Sequence, residues 1–332
     1  MNDLAVGTEA PSSPAARIEG QHFVDKNVDI IADNMARPVH VWLLTSAGPR
    51  RLSTLMAPNR CSRRASTPNP LDNMSKTILE RFRLDGRVAL ITGAGQGIGK
   101  AFASALGEAG AKIAVADLNS DLAHQVANEL EERDINAIAI TANVADPASI
   151  EAMVGDVIDH YGALDIAFNN AGVNKNSAAE ETPLEEWDQT FAVNLRGLFV
   201  CCQLEGRHML KVGYGKIINT ASMSSLIVPH PQKQAAYNTS KAGVVNLTRS
   251  LAAEWADRGI RVNCISPGIV RTPLIMNSPA LAPLVNRWLQ DIPMGRLCEL
   301  EDLQGGAVYL ASEVSDYMTG HNLVIEGGHT LW

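Results

Sequence analysis

Apolar residues in this chain are unevenly spread. From about residue 80 onward they gather into short runs separated by longer amphipathic stretches. The first four runs are Arg87-Val-Ala-Leu-Ile-Thr92, Ala111-Lys-Ile-Ala-Val-Ala-Asp117, Ala137-Ile-Ala-Ile-Thr-Ala142 and Leu164-Asp-Ile-Ala-Phe168. Lys216 to Thr220, Arg261-Val-Asn-Cys-Ile265 and Asn322-Leu-Val-Ile325 complete the set. Runs this short and this rich in β-branched residues are the mark of strands buried on both faces. Between them lie segments of helix length: one opening at Lys100, one after Pro147, a long one after Pro183 and one carrying Tyr237. Strand and helix alternate, which predicts an α/β fold with a doubly wound parallel sheet covered by helices on both faces.

The pattern fades upstream. Residues 1–73 mix Pro, Ser, Ala and scattered charges with no sustained period, as in Ala10-Pro-Ser-Ser-Pro-Ala15 and Arg60-Cys-Ser-Arg-Arg-Ala-Ser-Thr-Pro68. The apolar run Val39-His-Val-Trp-Leu-Leu-Thr45 is short and lies too far in for a signal-peptide core. The expected organisation is one catalytic domain over 74–332, preceded by an irregular extension that is either disordered or the product of a misassigned start upstream of Met74. A targeting peptide or interaction arm is the alternative.

The first run leads directly into Thr92-Gly-Ala-Gly-Gln-Gly-Ile-Gly99. Strand, glycine turn and helix form the context in which such a turn seats a dinucleotide. Gly93 permits the sharp exit from the strand, Gly97 lets the backbone approach a pyrophosphate, and Gly99 lets helix and sheet pack closely. The helix N-terminus then offers unpaired N–H groups and a positive dipole end to the phosphates. Asp117 closes the next strand, 24 positions after Gly93. A carboxylate there suits the adenosine ribose 2′-hydroxyl and repels a 2′-phosphate, so NAD is expected over NADP. Gln96 adds no cation to offset that preference. The other role open to Asp117 is a turn or helix cap before Leu118-Asn119-Ser120.

Downstream stands Tyr237-Asn-Thr-Ser-Lys241. Positions four apart share a helix face, so the Lys241 ammonium can approach the Tyr237 phenol. A nearby cation favours phenolate, and a tyrosine tuned that way acts as a general acid or base. A surface tyrosine beside a snorkelling lysine has the same spacing; the glycine turn upstream is what separates the two readings.

Together these residues resemble the short-chain dehydrogenase/reductase family over roughly residues 80 to 332. Asn169-Asn170-Ala171-Gly172, the helix asparagine Asn194, the strand-end serine Ser222 and the turn Ser266-Pro267-Gly268-Ile269-Val270-Arg271-Thr272 follow in the family's order. The resemblance implies a Rossmann-type fold and hydride exchange between a secondary alcohol and a nicotinamide. Tyr237 would move the hydroxyl proton and Ser222 steady the substrate oxygen. Lys241 would lower the Tyr237 pKa and hold the ribose, and Asn194 would hold a water that links Lys241 to solvent. It also implies that Gly93, Gln96, Gly97, Ile98, Gly99, Asp117, Asn170, Ala171, Gly172, Pro267, Gly268, Ile269 and Thr272 line the cofactor cleft with Tyr237 and Lys241. Asn143-Val144 stands at the adenine edge where many relatives have Asp-Val, and an Asn amide can still pair there. The interval from Ser222 to Tyr237 is roughly two residues longer than in many relatives, so Ser224 or Ser225 is an alternative catalytic hydroxyl.

Composition narrows the class. The chain has 332 residues, 46% of them hydrophobic, and a formal net charge of -8, which argues against a nucleic-acid surface. Five cysteines include no CxxC pair, and the histidines are scattered, so neither a disulfide framework nor a metal site is expected. No apolar run approaches the ~18 residues needed to cross a bilayer. A cytoplasmic enzyme without membrane or nucleic-acid partners is expected, and the family resemblance implies a homodimer or homotetramer through the helices at 183–212 and 237–257. Leu247, Leu251 and Trp255 form a stripe there that a core-facing helix would share.

The segments Ala221-Ser-Met-Ser-Ser-Leu-Ile-Val228, Pro231-Gln-Lys-Gln-Ala-Ala-Tyr237 and Glu326-Gly-Gly-His-Thr-Leu-Trp332 resemble the branch acting on polyols and ketoses. Ser224, Gln232 and Gln234 are candidates to hydrogen-bond a sugar alcohol, or else they only shape the loop. Pro273 to Ala280 is expected to form a mobile lid over the site. The alternatives are a 3-oxoacyl thioester reductase, a gluconate-type keto-acid reductase and a non-catalytic dinucleotide-binding protein.

Overall fold

The structure, a computed structural model, describes residues 76–278 and 281–332. The extension expected over 1–73 and the start at Met74 lie outside the described residues, as does the end of the segment expected to form a lid.

The chain begins its description with a short capped helix, α1 (Ile78–Phe82), and then enters β1 (Val88–Thr92). Helix α2 (Gly97–Glu108) and β2 (Lys112–Asp117) follow, then α3 (Ser120–Glu131), β3 (Ala137–Thr141), α4 (Pro147–Tyr161) and β4 (Ile166–Asn169). Helix α5 (Leu184–Phe191) runs through a π-helical turn at Ala192–Gly197 into α6 (Leu198–Val212). The expected long helix after Pro183 is therefore three pieces. Next come β5 (Gly215–Thr220), α7 (Ala235–Trp255) and β6 (Ile260–Pro267). The short α8 (Pro273–Met276), α9 (Ala282–Asp291), α10 (Glu301–Ala311) and β7 (Asn322–Ile325) complete the fold.

Among the described residues, seven strands form one parallel sheet in the order β3-β2-β1-β4-β5-β6-β7. This is the doubly wound sheet that the alternation of short runs predicts. The order reverses between β1 and β4, and ligands of such sheets sit outside the carboxyl ends of the strands at that switch point.

Side-chain alternation divides the core. Val88 and Leu90 of β1 face one layer with Ile150, Cys202 and Val244 from α4, α6 and α7. Ala89 and Ile91 face the other with Phe102, Val126 and Leu310 from α2, α3 and α10. Both layers are sealed from water, which is why β1 carries no polar alternation. Phe102 packs on Phe168 with ring centroids 4.9 Å apart, tying α2 to β4 directly beneath the glycine turn. A third, smaller cluster of Met223, Ile269, Trp288, Ile292 and Leu297 roots α9 over the carboxyl end of the sheet.

Candidate active site

Among the described residues, a cleft of about 410 Å³ runs along the carboxyl ends of the strands. Its walls include Gly93, Gln96, Gly97, Ile98, Gly99, Asp117, Asn143, Val144, Asn170, Ala171, Gly172, Pro267, Gly268 and Thr272, together with Ser222, Tyr237 and Lys241. Ile269 lies instead on an adjoining chamber.

The glycine turn is shaped by close backbone approach. Gly93 and Gly97 have φ of 63° and 55°, in the left-handed region that side chains resist. A Cβ at Gly99 would stand 2.2 Å from the Gly93 carbonyl and 2.6 Å from Asn170 Nδ2. Asn170 Nδ2 donates to the carbonyls of Thr92 and Gly93 at 3.1 and 3.2 Å. Thr92 Oγ1 accepts the N–H groups of Asn170 and Ala171, both at 3.1 Å. Sequence reasoning left Thr92 without a role; it stitches β1 to the end of β4 and so holds both walls of the cleft.

Asp117 serves the turn and stands in the cleft wall. Its carboxylate accepts the N–H of Gly95 and that of Asn119, each at 2.9 Å, and it also lines the cleft. The cap of α3 is a different residue: Asn119 Oδ1 accepts from Asp121 and Leu122. Asn143 Oδ1 accepts from the Ala145 N–H at 3.0 Å. The Val144 carbonyl lies where a Cβ at Gly197 would stand 2.1 Å away, so the π-helical turn packs against this edge of the cleft.

That turn carries Asn194, which is fully buried. An inserted residue in a helix re-aims the side chains around it. Here Asn194 Oδ1 accepts the Val173 N–H at 2.8 Å, while Nδ2 donates to the Val173 carbonyl at 2.9 Å and to Ser240 Oγ at 3.1 Å. The amide clamps the chain just past Gly172, and only a second lone pair of Oδ1 is left for a further partner.

Tyr237 and Lys241 lie one turn apart on α7, with Lys241 Nζ 5.8 Å from the Tyr237 ring centroid. Lys241 is buried, and its ammonium donates to the Thr220 carbonyl at 2.7 Å. Burial lowers its pKa to about 8. The phenol departs from the sequence expectation. Burial pushes Tyr237 above its ordinary value, and the group that opposes this is the Ser222 hydroxyl, not the lysine. Withdrawal from water disfavours phenolate by more than the neighbours recover.

Ser222 lies two residues past β5 and caps a short turn at Met223–Ser225, its Oγ accepting the Ser224 N–H at 3.1 Å. Ser225 Oγ donates back to the Ser222 carbonyl at 2.7 Å. Of the three hydroxyls, Ser222 is the one that opposes the rise in the Tyr237 pKa; Ser222 and Ser224 both reach the adjoining chamber.

That chamber, about 200 Å³, shares Ser222 and Tyr237 with the cleft. One wall is polar: Asn174, Asn176, Ser224, Gln232 and Gln234. The other is apolar, with Met223, Ile269, Ile275, Leu281 and Trp288. Gln234 accepts from Asn174 Nδ2 at 3.0 Å and donates to Ser224 Oγ at 3.3 Å and Asn238 Oδ1 at 2.8 Å. Gln232 accepts from Trp288 Nε1 at 3.0 Å. Asn174, Asn176 and Trp288 escaped sequence reasoning, because the segment after β4 and helix α9 must meet before they line one chamber. Among the described residues, no group of three or more His, Cys, Asp or Glu side chains is placed to hold a metal ion.

Comparison with known proteins agrees with this geometry. A family model described as Enoyl-(Acyl carrier protein) reductase matches residues 93–330. A D-threitol dehydrogenase of Mycolicibacterium smegmatis is 42% identical over 250 residues, 75% of this chain and 95% of the relative. A galactitol 2-dehydrogenase of Rhizobium johnstonii is 38% identical over 254 residues, 76% and 98% of the two chains. Among solved structures, a gluconate 5-dehydrogenase from Burkholderia cenocepacia in complex with NADP and tartrate superposes with a TM-score of 0.72. It is 36% identical, and the match covers 77% of this chain and 100% of that one. The family match over residues 93–330 and the relatives' identity over nearly their whole length show that the chain belongs to the short-chain dehydrogenase/reductase family.

Proposed function

We propose that this protein is an NAD(H)-dependent oxidoreductase that interconverts a secondary alcohol of a sugar alcohol and the corresponding ketose. The observation that carries the reading is that Tyr237 and Ser222 stand where the long cleft opens into the chamber with one polar wall. The cleft fits a dinucleotide on its own evidence. Gly93 and Gly97, both with φ in the left-handed region, bring the turn that opens α2 onto the cleft wall, and the Asp117 carboxylate stands at its β2 end. A nicotinamide dinucleotide bound there supplies the hydride acceptor for alcohol oxidation.

The chain's own residues do the rest. Tyr237 takes the alcohol proton in oxidation and returns it in reduction. Ser222 hydrogen-bonds the same oxygen as its charge changes. Lys241 holds the ribose side of the cleft and steadies the phenolate once it forms. Asn194 keeps Val173, and with it Gly172, in place. Asp117 favours a free 2′-hydroxyl over a 2′-phosphate, which supports NAD; the NADP in the gluconate dehydrogenase structure is the reason to test both.

Neutral polyols fit the chamber better than sugar acids. Its described lining contains no lysine, arginine or histidine to receive a carboxylate. The threitol and galactitol relatives support the same substrate class. A gluconate-type keto acid is the second reading, carried by the structural likeness to the gluconate dehydrogenase. A 3-oxoacyl thioester reductase is disfavoured by the small chamber and by Asp117. The presence of the complete Asn194, Ser222, Tyr237 and Lys241 set argues against a non-catalytic binding protein.

Assembly into a homodimer or homotetramer belongs to the same reading. Phe191, Leu195, Phe199 and Leu247 form an apolar groove on α5 to α7, and Phe199 is 40% exposed. So does a cytoplasmic location; among the described residues no helix is long and apolar enough to cross a membrane.

The test is initial-rate reduction of NAD and of NADP across C4 to C6 sugar alcohols, with gluconate alongside. Turnover of a polyol with NAD, lost in Tyr237→Phe, is expected. Turnover of gluconate alone would overturn the substrate assignment.

A further inference from the structure

Below the cleft, the end of β4 is held by a polar cluster that the proposed chemistry does not use. Glu205 of α6 is completely buried, as are Asn219 of β5 and Thr248 of α7, and Asn169 is 2% exposed. Asn169 Nδ2 donates to Glu205 Oε2 at 3.0 Å and also reaches Asn219 Oδ1 at 3.2 Å and Cys202 Sγ at 3.4 Å. Asn219 Nδ2 donates to Thr248 Oγ1 at 3.0 Å, and that hydroxyl donates to the Val244 carbonyl at 2.8 Å. Two acceptors remain over. Glu205 Oε1 and Asn169 Oδ1 are buried and find no donor among the described groups.

These two orphans belong to residues already joined by one hydrogen bond. An ionised carboxylate only accepts, so it leaves both atoms unpaired, and each buried orphan carries a desolvation cost. A carboxylic acid has one donor. Placed on Oε1, that proton serves both atoms and closes the two-point ring that an acid forms with a primary amide.

We propose that Glu205 is held as a neutral carboxylic acid whose Oε1 proton is donated to the Asn169 amide oxygen. The pair positions the end of β4, from which Asn170, Ala171 and Gly172 pass into the cofactor cleft. Glu205 is thus a positioning residue that acts through Asn169. The surroundings agree. Burial pushes Glu205 up to about 7, with the Asn169 hydrogen bond opposing, and no cation contributes. Cys201 and Cys202 on the same helix are raised well above their ordinary value by burial first and by Glu205 next. On β6, Cys264 is raised to about 11 by burial. None of these groups can neutralise a carboxylate. Because the folded-state pKa lies above the ordinary value of 4.5, the contribution to stability is complete below that value and is lost as pH rises through about 7.

Isotope-edited infrared spectroscopy of the full chain with ¹³C-labelled glutamate tests this directly. The difference between wild type and Glu205→Gln is expected to show a protonated-carboxyl band at about pH 6 that disappears with a midpoint near 7. Absence of that band at about pH 6 overturns the proposal, since a trapped water would then be serving an ionised Glu205. The positioning role is read from NADH affinity. Between about pH 5.5 and 7.5, wild type is expected to weaken several-fold relative to Glu205→Gln, whose amide keeps both hydrogen bonds and cannot titrate. Identical pH dependence in the two proteins overturns the positioning role. This arm rests on the cofactor reading above. If NADH binds at no pH, that reading has failed and the infrared band alone judges Glu205. The wild-type band also decides the matter if the variant does not fold.

Discussion

The Lys241 ammonium donates to the Thr220 carbonyl at 2.7 Å, and so the charge expected to tune Tyr237 is anchored to the strand beside it. The pairing fixes the lysine on the cleft wall while leaving burial as the larger influence on the phenol. This relationship sets the direction of the pH dependence.

With Tyr237 raised by burial, the protonated form dominates at neutral pH, which is the form that donates in ketone reduction. Alcohol oxidation needs phenolate and is expected to climb as pH rises above neutral, while ketone reduction falls. Initial rates in both directions from about pH 6 to 10 check this. Oxidation that peaks below neutral pH excludes Tyr237 as the base.

Tyr237→Phe removes the transferable proton and is expected to lower kcat/KM by about 10²- to 10⁴-fold. Fluorescence titration with NADH should show near wild-type affinity, which separates lost chemistry from lost binding.

Asp117→Ala withdraws the acceptor for the N–H groups of Gly95 and Asn119. A stability loss of about 1–3 kcal/mol is expected, because two hydrogen bonds to a partly exposed charged group disappear. The ratio of kcat/KM with NAD to that with NADP should fall at least about tenfold as the repulsion of the 2′-phosphate is removed. Denaturant melts and paired kinetics measure the two effects separately.

The glycines provide an internal contrast. Gly99→Ala forces a Cβ to within 2.2 Å of the Gly93 carbonyl, and a loss of about 1–3 kcal/mol with weaker dinucleotide binding is expected. Gly155, inside α4, has nothing within 4 Å of the same added atom. Gly155→Ala should stabilise by about 0.5–1 kcal/mol with unchanged kinetics. Thermal melts of the two variants side by side test whether close approach, not helix propensity, governs the turn.

Gln234→Leu removes the amide that joins Asn174 to Ser224 and Asn238. The Asn174 and Ser224 groups lose their fixed placement, so KM for a polyol should rise about tenfold while affinity for NADH stays within twofold. A pure kcat effect would place Gln234 outside substrate recognition.

Strand identity was legible because burial on both sheet faces leaves short, mostly apolar runs in the central strands, and each of the seven runs became a strand, the part-exposed edge strands β3 and β7 included. The glycine turn was legible because its φ values and close contacts select glycine at fixed positions. The spacing of Tyr237 and Lys241 was legible because a helix brings residues four apart onto one face. Local geometry alone decides these features, and the amino-acid sequence determined them by itself. The π-helical turn that faces Asn194 towards Val173 was not visible, because it depends on Gly197 meeting the Val144 carbonyl from a distant segment. Nor was the acid–amide relationship of Glu205 and Asn169, whose partners are 36 positions apart. The direction in which Tyr237 shifts also belonged to the tertiary structure. Spacing shows which charge is near, but desolvation depends on how much of the protein closes over the group, and only the folded chain sets that depth.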